Sequence, residues 1–422
     1  MYGRCMSIKR DLASNAFWSL VGHVLARGSL VVASIVLARE LTTAAFAAYS
    51  YFQLTTAMLA AYAALGLGAT ASRFFAEVDC DGEVLDSKPL GTLFSASLLI
   101  SLAVFVAILV IPEKWLSASL DVPKWLLAAG IGATALGVVP AGALVGLERY
   151  RMAALASLAY GAIVVVGALL AAKYKSPLVA MTALGVAALV KAGWQCGAVL
   201  QVVGWRRIAC NLWITRDSLL SVMRFAGPMF FVTLLSASGS WVIGRIVLLG
   251  EDGVYEFALY SIGLQWYALG LLVPGMVSRV LLPRLIRASG EHHGQQSVII
   301  RFTALLSVCA SLVVCLLVAL GWPILSGLYG ARYAIAPLFI AAYMGAAIIS
   351  APANTFGNAL LASNQQWTWL AQIFVWFVIL SLIAVLGVYS GLGGRTGALA
   401  HGTAGLVLWA SAYLACRRMR LV

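Results

Sequence analysis

The sequence predicts an all-α integral membrane protein of about twelve transmembrane helices, arranged as two pseudo-symmetric six-helix bundles. Three observations predict it. Hydrophobic residues make up 62% of the 422 and charged residues 10%, and the mean hydropathy is +0.96, whereas a soluble domain carries roughly 25% charged residues. Apolar stretches of about 20 residues, long enough to cross a bilayer, recur along the whole chain. The chain also repeats itself at an offset of 211: Val36-Leu37 returns as Val247-Leu248, Glu40 as Glu251, Phe46-Ala47 as Phe257-Ala258, Tyr49-Ser50 as Tyr260-Ser261 and Pro112 as Pro323. Two similar halves, 1–211 and 212–422, with six spans each, make parallel repeats about an axis normal to the bilayer, with a substrate site between them.

The first span, 14–37, is full length and lacks the short apolar core and small-residue cleavage site of a secretory signal, so it reads as a retained helix. Along it Asn15, Ser19, His23 and Arg27 follow at four-residue spacing and form one polar ridge. The second span, 46–70, carries Gln53. The inner loop after it holds Glu77, Asp79, Asp81, Glu83 and Asp86, which lack an ordered ligand spacing and read as a solvated loop rather than a cation site. Spans three to six occupy 89–111, 125–147, 152–171 and 178–203. The fourth contains Pro140 and the pair Gly142–Gly146; the sixth contains Lys191 and the pair Gly193–Gly197. Glycines at that spacing let helix backbones approach closely, so both pairs read as packing. The second half repeats the series at 225–249, 255–280, 298–321, 334–360, 368–389 and 397–416, with Arg245 in the seventh span, Gln265 in the eighth and Pro352 in the tenth. Gln53 with Gln265, and Pro140 with Pro352, match at an offset of 212. Polar or interrupted segments at matching positions of two repeats point to the site; the prolines read equally as kinks that shape the bundle.

Orientation follows from Lys and Arg, which stay cytoplasmic near span ends. With the amino terminus inside, eighteen fall on inner segments, seven on outer segments and three within spans, so both termini are expected in the cytoplasm. The net charge of +13 is then a topology signal rather than a nucleic-acid footprint. Cys5, Cys80, Cys210 and Cys416 fall on the inner side and Cys196, Cys309 and Cys315 within spans, with neither a disulfide framework nor zinc-site spacing. No cofactor is expected. The longest outer loop runs from about Pro112 to Lys124, and the larger inner loops lie near 73–88, 204–224 and 284–297. None has room for an extramembrane catalytic domain, so a non-enzymatic role is expected.

Arg27, Lys191 and Arg245 remain at depths where a charge costs roughly 2.5–3.5 kcal/mol on insertion scales. Arg27 either faces a water-filled cavity or is paired in an interhelical seam. Lys191 either lines a cavity or is structurally paired. Arg245, about a turn from the outer end of its span, is either functional or a snorkelling side chain. All fifteen carboxylates fall in loops or near span ends. Cations without counter-ions in the bilayer core favour an anionic ligand, and the planar fork of Arg suits phosphate. A cation-drug exporter would place carboxylates or an aromatic cage there.

The run Val36-Leu37-Ala38-Arg39-Glu40-Leu41 with Phe46-Ala47-Ala48-Tyr49, then Leu147-Glu148-Arg149-Tyr150, Phe225-Ala226-Gly227-Pro228, Leu281-Leu282-Pro283 and Leu328-Tyr329-Gly330, taken in order, resemble the polysaccharide-export, Wzx-type O-antigen flippases of the MOP superfamily. Ala44-Ala45 stands where that family usually has an acidic pair, and Ala47 where it usually has Gly. The resemblance implies the MOP flippase fold, alternating access, and movement of an undecaprenyl-diphosphate-linked oligosaccharide, an O-antigen or exopolysaccharide repeat unit, to the outer leaflet of the bacterial inner membrane. On that footing Arg27, His23, Lys191 and Arg245 are expected to neutralise the diphosphate, with Ser19 and Asn15 on the same ridge, and Gln53 and Gln265 to contact sugar. Membrane potential would favour outward movement of each negative charge by roughly 2.3 kcal/mol per 100 mV, and His23 is a titratable alternative as coupling group. A polysaccharide polymerase or glycosyltransferase is a further candidate partner. The rivals are a multidrug exporter of the same superfamily, a membrane-embedded polysaccharide polymerase or ligase, and a major-facilitator transporter. They are disfavoured in turn by the lack of buried acids, by the lack of a large outer catalytic loop, and by Phe74-Phe75-Ala76-Glu77 following Arg73 in place of a basic motif.

Overall fold

The structure, a computed structural model, describes residues 2–64, 66–76, 88–112, 120–205, 208, 216–276, 293–321, 327–330, 333, 337–363 and 365–421. Fifteen α-helices lie among the described residues: α1 (Tyr2–Glu40), α2 (Thr43–Ala63), α3 (Leu67–Ala76), α4 (Lys88–Val110), α5 (Lys124–Leu136), α6 (Val138–Gly146), α7 (Tyr150–Tyr174), α8 (Pro177–Val203), α9 (Arg216–Leu248), α10 (Gly253–Gly270), α11 (His293–Leu320), α12 (Pro337–Ser350), α13 (Ala353–Ala362), α14 (Gln366–Tyr389) and α15 (Thr396–Arg418). The acidic stretch at 77–86, Cys80, Cys210, most of the inner loops, and the side chains of Cys5 and Asn15 lie outside the described residues.

Among the described residues, ten helical segments are long and apolar enough to cross a membrane. α2 and α10 supply the second and eighth spans that the sequence predicts. They are 21 and 18 residues long and carry tyrosines, hydroxyls and a glutamine on faces turned inward, which lowers their hydropathy. The outward faces of the long helices are apolar, as lipid requires: Leu98, Leu102 and Val106 of α4 and Leu305, Leu312 and Leu316 of α11 are all exposed.

Residues 1–37 with 51–233 form one compact unit, and 38–50 with 234–422 a second. In the first, Leu67, Ala71 and Phe75 of α3, Leu93 of α4, Val139, Ala143 and Leu144 of α6, and Ala198, Val199 and Val203 of α8 make a continuous core. A methyl group added at Gly142 would lie 2.2 Å from the Gly68 carbonyl oxygen, so α6 rests on the α3 backbone and the close-approach reading of that glycine is right. For Gly193 and Gly197 it is not. Among the described residues an added methyl group would meet nothing within 4 Å at either position, and Gly193 is exposed, so neither approaches another described helix.

The proline pair marks breaks in both units. The fourth span divides into α5 and α6 at Gly137, with Pro140 in the first turn of α6, where its missing N–H leaves no bond unmade. The tenth divides into α12 and α13, with Pro352 as the cap of α13. These two spans are also the most enclosed, with 56% and 61% of their apolar windows buried against 22–44% for the other eight.

In the second unit, Tyr260 donates to the Ser240 carbonyl at 2.6 Å and Tyr343 to the Gly394 carbonyl at 2.7 Å, while the Glu256 carboxylate accepts from the Gly394 N–H at 2.5 Å. Together they fix α10 to α9 and tie both α10 and α12 to the turn before α15. Segment 38–50 packs by placing Phe46 edge-on to Tyr333 at 6.0 Å, and Tyr333 stacks on Tyr255. The duplicated residues Phe46, Ala47 and Tyr49, and their counterparts Phe257, Ala258 and Tyr260, are each no more than 1% exposed. What the duplication preserves is therefore a packing motif at the start of the second helix of each repeat.

Candidate functional site

Helices α1, α2, α5, α6, α7 and α8 of the first unit surround a cavity of about 380 Å³, within the roughly 300–1,000 Å³ of small-ligand sites. Small residues draw its walls together. A methyl group at Gly161 of α7 would come within 3.2 Å of the Leu25 carbonyl oxygen and of Ser29 on α1, and one at Gly130 of α5 within 3.0 Å of the Phe52 ring on α2. The first contact holds the 25–29 turn of α1 against the start of the Tyr160-Gly161 turn. Arg27 thus sits near enough to Tyr160 for its charge to act on the phenol. Gly137 meets Ala192, which brings α8 in with Lys191 beside it.

The polar lining is Arg27, Gln53, Thr56, Thr134, Tyr160, Lys191 and Gln195; alanines, leucines, glycines, Phe52 and Val138 supply the rest. The Lys191 ammonium lies 5.2 Å from the centre of the Tyr160 ring, a cation–π distance. Thr134 donates to the Gly130 carbonyl at 2.8 Å. The Thr56 hydroxyl is buried with no hydrogen-bond partner, the condition in which a polar group most favours an incoming ligand. Gln195 is 3% exposed, whereas Arg27 is exposed and keeps its guanidinium accessible. Two cations and no carboxylate line the space. A larger recess in the second unit, about 690 Å³, is lined by Glu251, Asp252 and Glu256 and has the wrong sign for an anion.

Of the eight residues expected in the site, the cavity brings together Arg27, Lys191 and Gln53. Ser19 and His23 are half-buried on α1, the imidazole Nδ1 lying 3.2 Å from the Ser19 carbonyl oxygen, and neither lines this space. Asn15 has no described side chain. Arg245 and Gln265 belong to the second unit. The Arg245 guanidinium lies 5.6 Å over the Trp241 ring one turn back on its own helix, as a snorkelling side chain near a membrane interface does. Sequence reading passed over Tyr160, Thr56, Thr134 and Gln195. Two of them carry a signal: Thr56 follows Gln53 at i+3 and Gln195 follows Lys191 at i+4, which puts each on the same helix face as a residue already singled out.

The pattern of the family described as "Polysaccharide biosynthesis protein" matches residues 12–289. The chain belongs to that family. It is 24% identical over 423 residues to the "EPS I polysaccharide export inner membrane protein EpsE" of Ralstonia nicotianae, covering 94% of this chain and 92% of that protein. The protein of the same description from Ralstonia solanacearum is 24% identical over 413 residues, covering 95% and 92%. Among solved structures, the chain resembles the outward-facing conformation of a multidrug resistance MATE family transporter of the MOP superfamily, with a TM-score of 0.73 at 15% identity over 98% of this chain and 96% of that one. The inward-facing conformation of such a transporter gives 0.70 at 15%, covering 94% of each. A MOP superfamily transporter from Pyrococcus furiosus, described as having a binding pocket of reverse polarity that suggests a different function, gives 0.69 at 14% over 98% and 96%. The all-helical fold shared with MOP superfamily transporters and the kinship with polysaccharide-export proteins that the sequence predicts both hold.

Proposed function

We propose that this protein flips an undecaprenyl-diphosphate-linked oligosaccharide from the inner to the outer leaflet of the bacterial inner membrane, with the diphosphate held by Arg27 and Lys191. The observation that carries the reading is the cavity of the first unit, which gathers two cations and a row of neutral hydrogen-bonding groups without any carboxylate. Gln53, Gln195, Thr56 and Tyr160 suit the first sugar; a hydroxyl-rich ring needs donors and acceptors of this kind. The prenyl chain stays in lipid. Ser19, His23 and Asn15 form an approach along α1, while Arg245 and Gln265 are the second repeat's contribution. The halves 1–211 and 212–422 exchange access to the two leaflets by rocking about the bound headgroup. The names of the curated relatives, which are export proteins of the inner membrane, support the cargo class and location.

A multidrug exporter is the second reading, because transporters of that kind share the fold. The sign of the cavity tells against a cationic cargo, since no carboxylate is there to hold one. Binding of undecaprenyl diphosphate to the protein in nanodiscs tests the proposal. Affinity should fall with salt and fall further in Arg27→Ala. Binding independent of salt, or equal in both proteins, would remove the cavity as the headgroup site.

A further inference from the structure

The second unit contains an ionisable group that the proposed headgroup site does not use. His401 of α15 is 2% exposed. Among the described residues neither of its ring nitrogens has a hydrogen-bond partner, although a neutral imidazole carries one donor and one acceptor that burial ordinarily requires to be paired. It lies eight residues into the span 393–418, about 12 Å below the span's outer end at 1.5 Å per residue.

Packing does not explain it. Along α15 the neighbours are small, with Gly397, Ala398, Ala400, Gly402, Ala404 and Gly405 all buried, and an apolar side chain would fill the same space without orphaned nitrogens. The Tyr267 ring of α10 stacks on the imidazole at 4.4 Å between centroids and 24° between planes. From α12, Ser350 donates to the His401 carbonyl at 3.4 Å and is linked to the Tyr267 hydroxyl. One turn nearer the outer end, Tyr343 of α12 and Tyr260 of α10 meet α15 at Gly397. Glu256 bonds a further turn out, at Gly394. α14 touches α15 on both sides of His401, through Gly387 at Thr396 and through Gln372 at Ser411, with no titratable side chain between them on α14, and α13 touches it through Phe356 at Tyr413 and Cys416, more than two turns inward of His401. Among the described residues, then, the titratable group facing His401 is Tyr267, whose ring face suits an imidazolium.

We propose that His401 is a proton-binding site of the second unit, loaded from one side of the membrane and emptied to the other during each export cycle. A ring nitrogen takes a proton from water, the imidazolium lies against the Tyr267 face, and the proton returns to water across the bilayer, so each cycle carries one charge without redox chemistry. Protonation itself is independent of what the first unit binds; only its use as a driving force rests on the flippase reading.

The test has two arms. In a variant with His23, His292 and His293 each changed to Gln, nitrogen-labelled His401 is followed by NMR in lipid bilayers. It should pass from neutral to protonated as the pH is lowered over the range in which the protein stays folded; an imidazole that stays neutral throughout that range overturns the proposal whether or not the protein is a flippase. In proteoliposomes at clamped potential, the wild type should respond to a pH gradient, by up to about tenfold per pH unit for one proton, and His401→Gln should lose that response while folding normally. A gradient response retained in His401→Gln, or absent from the wild type, overturns the coupling. If His401→Gln fails to fold, the titration arm and the wild-type gradient response still decide.

Discussion

Replacing Lys191 with Met keeps an unbranched side chain of nearly the same length against Tyr160 and removes the ammonium. A phosphate oxygen about 4 Å from the ammonium would interact with it by about 4 kcal/mol at an effective dielectric near 20. That is a gross figure. Lys191 is only half-buried, so screening and the cost of stripping water from both ions leave about 1.5–3 kcal/mol, the usual worth of a hydrogen bond to a charged group. The cation–π contact with Tyr160, at 5.2 Å, contributes about 0.5–1 kcal/mol, but it exists in the free protein as well and does not add to the difference. Affinity for undecaprenyl diphosphate should therefore fall about 10- to 150-fold. Nanodisc binding at several ionic strengths measures it, and the Met variant should also show a shallower dependence on salt, having lost one of two cations. Lys191→Arg should recover most of the affinity. A Met variant within about twofold of wild type at low salt, less than 0.5 kcal/mol, would refute the placement of the diphosphate beside Lys191.

Thr56→Val removes a buried hydroxyl that has no partner, so thermal unfolding in detergent should be unchanged or up to about 1 kcal/mol more favourable to the fold, while affinity for the sugar-bearing headgroup drops. Gly142→Ala would press a methyl group to 2.2 Å from the Gly68 carbonyl, an overpacking against backbone worth about 1–3 kcal/mol or more and visible as a lower unfolding temperature. Gly193→Ala, with open space around it, should instead be neutral or stabilising by up to about 1 kcal/mol through helix propensity. Arg245→Ala should weaken binding less than Lys191→Met does, because its guanidinium is already engaged with Trp241; a loss as large as that of Lys191→Met would make the second repeat an equal partner in headgroup binding.

Much of the fold is legible in the sequence because a bilayer imposes its own ruler. Apolar runs of span length, the repeat at 211 and the pair Pro140 and Pro352 foretell helices, duplication and the two broken central spans. α2 and α10 show where the ruler blurs: Tyr, Ser, Thr and Gln turned into the protein make a span look less apolar than it is. The site is only partly legible. Intramembrane charges stand out by their cost, so Arg27 and Lys191 are found, but nothing in the sequence says that α1 and α8 meet around one cavity. That depends on close approaches at Gly161, Gly130 and Gly137. Glycine spacing alone does not reveal them, since Gly193 and Gly197 have the same spacing as Gly142 and Gly146 and approach nothing. Tyr160 and His401 are hidden for another reason. In a membrane helix both the lipid face and the protein face are apolar, so the alternation that marks an interior position in a soluble helix is missing.

The most direct measurement is headgroup translocation in proteoliposomes, comparing wild type with Arg27→Ala and offering a lipid-diphosphate oligosaccharide and a cationic dye as alternative cargoes. Wild type should flip the glycolipid and leave the dye, and a normally folded Arg27→Ala protein should flip neither. Undiminished glycolipid flipping by Arg27→Ala, or dye transport by the wild type, would contradict an anion-binding cavity as the centre of the proposed flippase cycle.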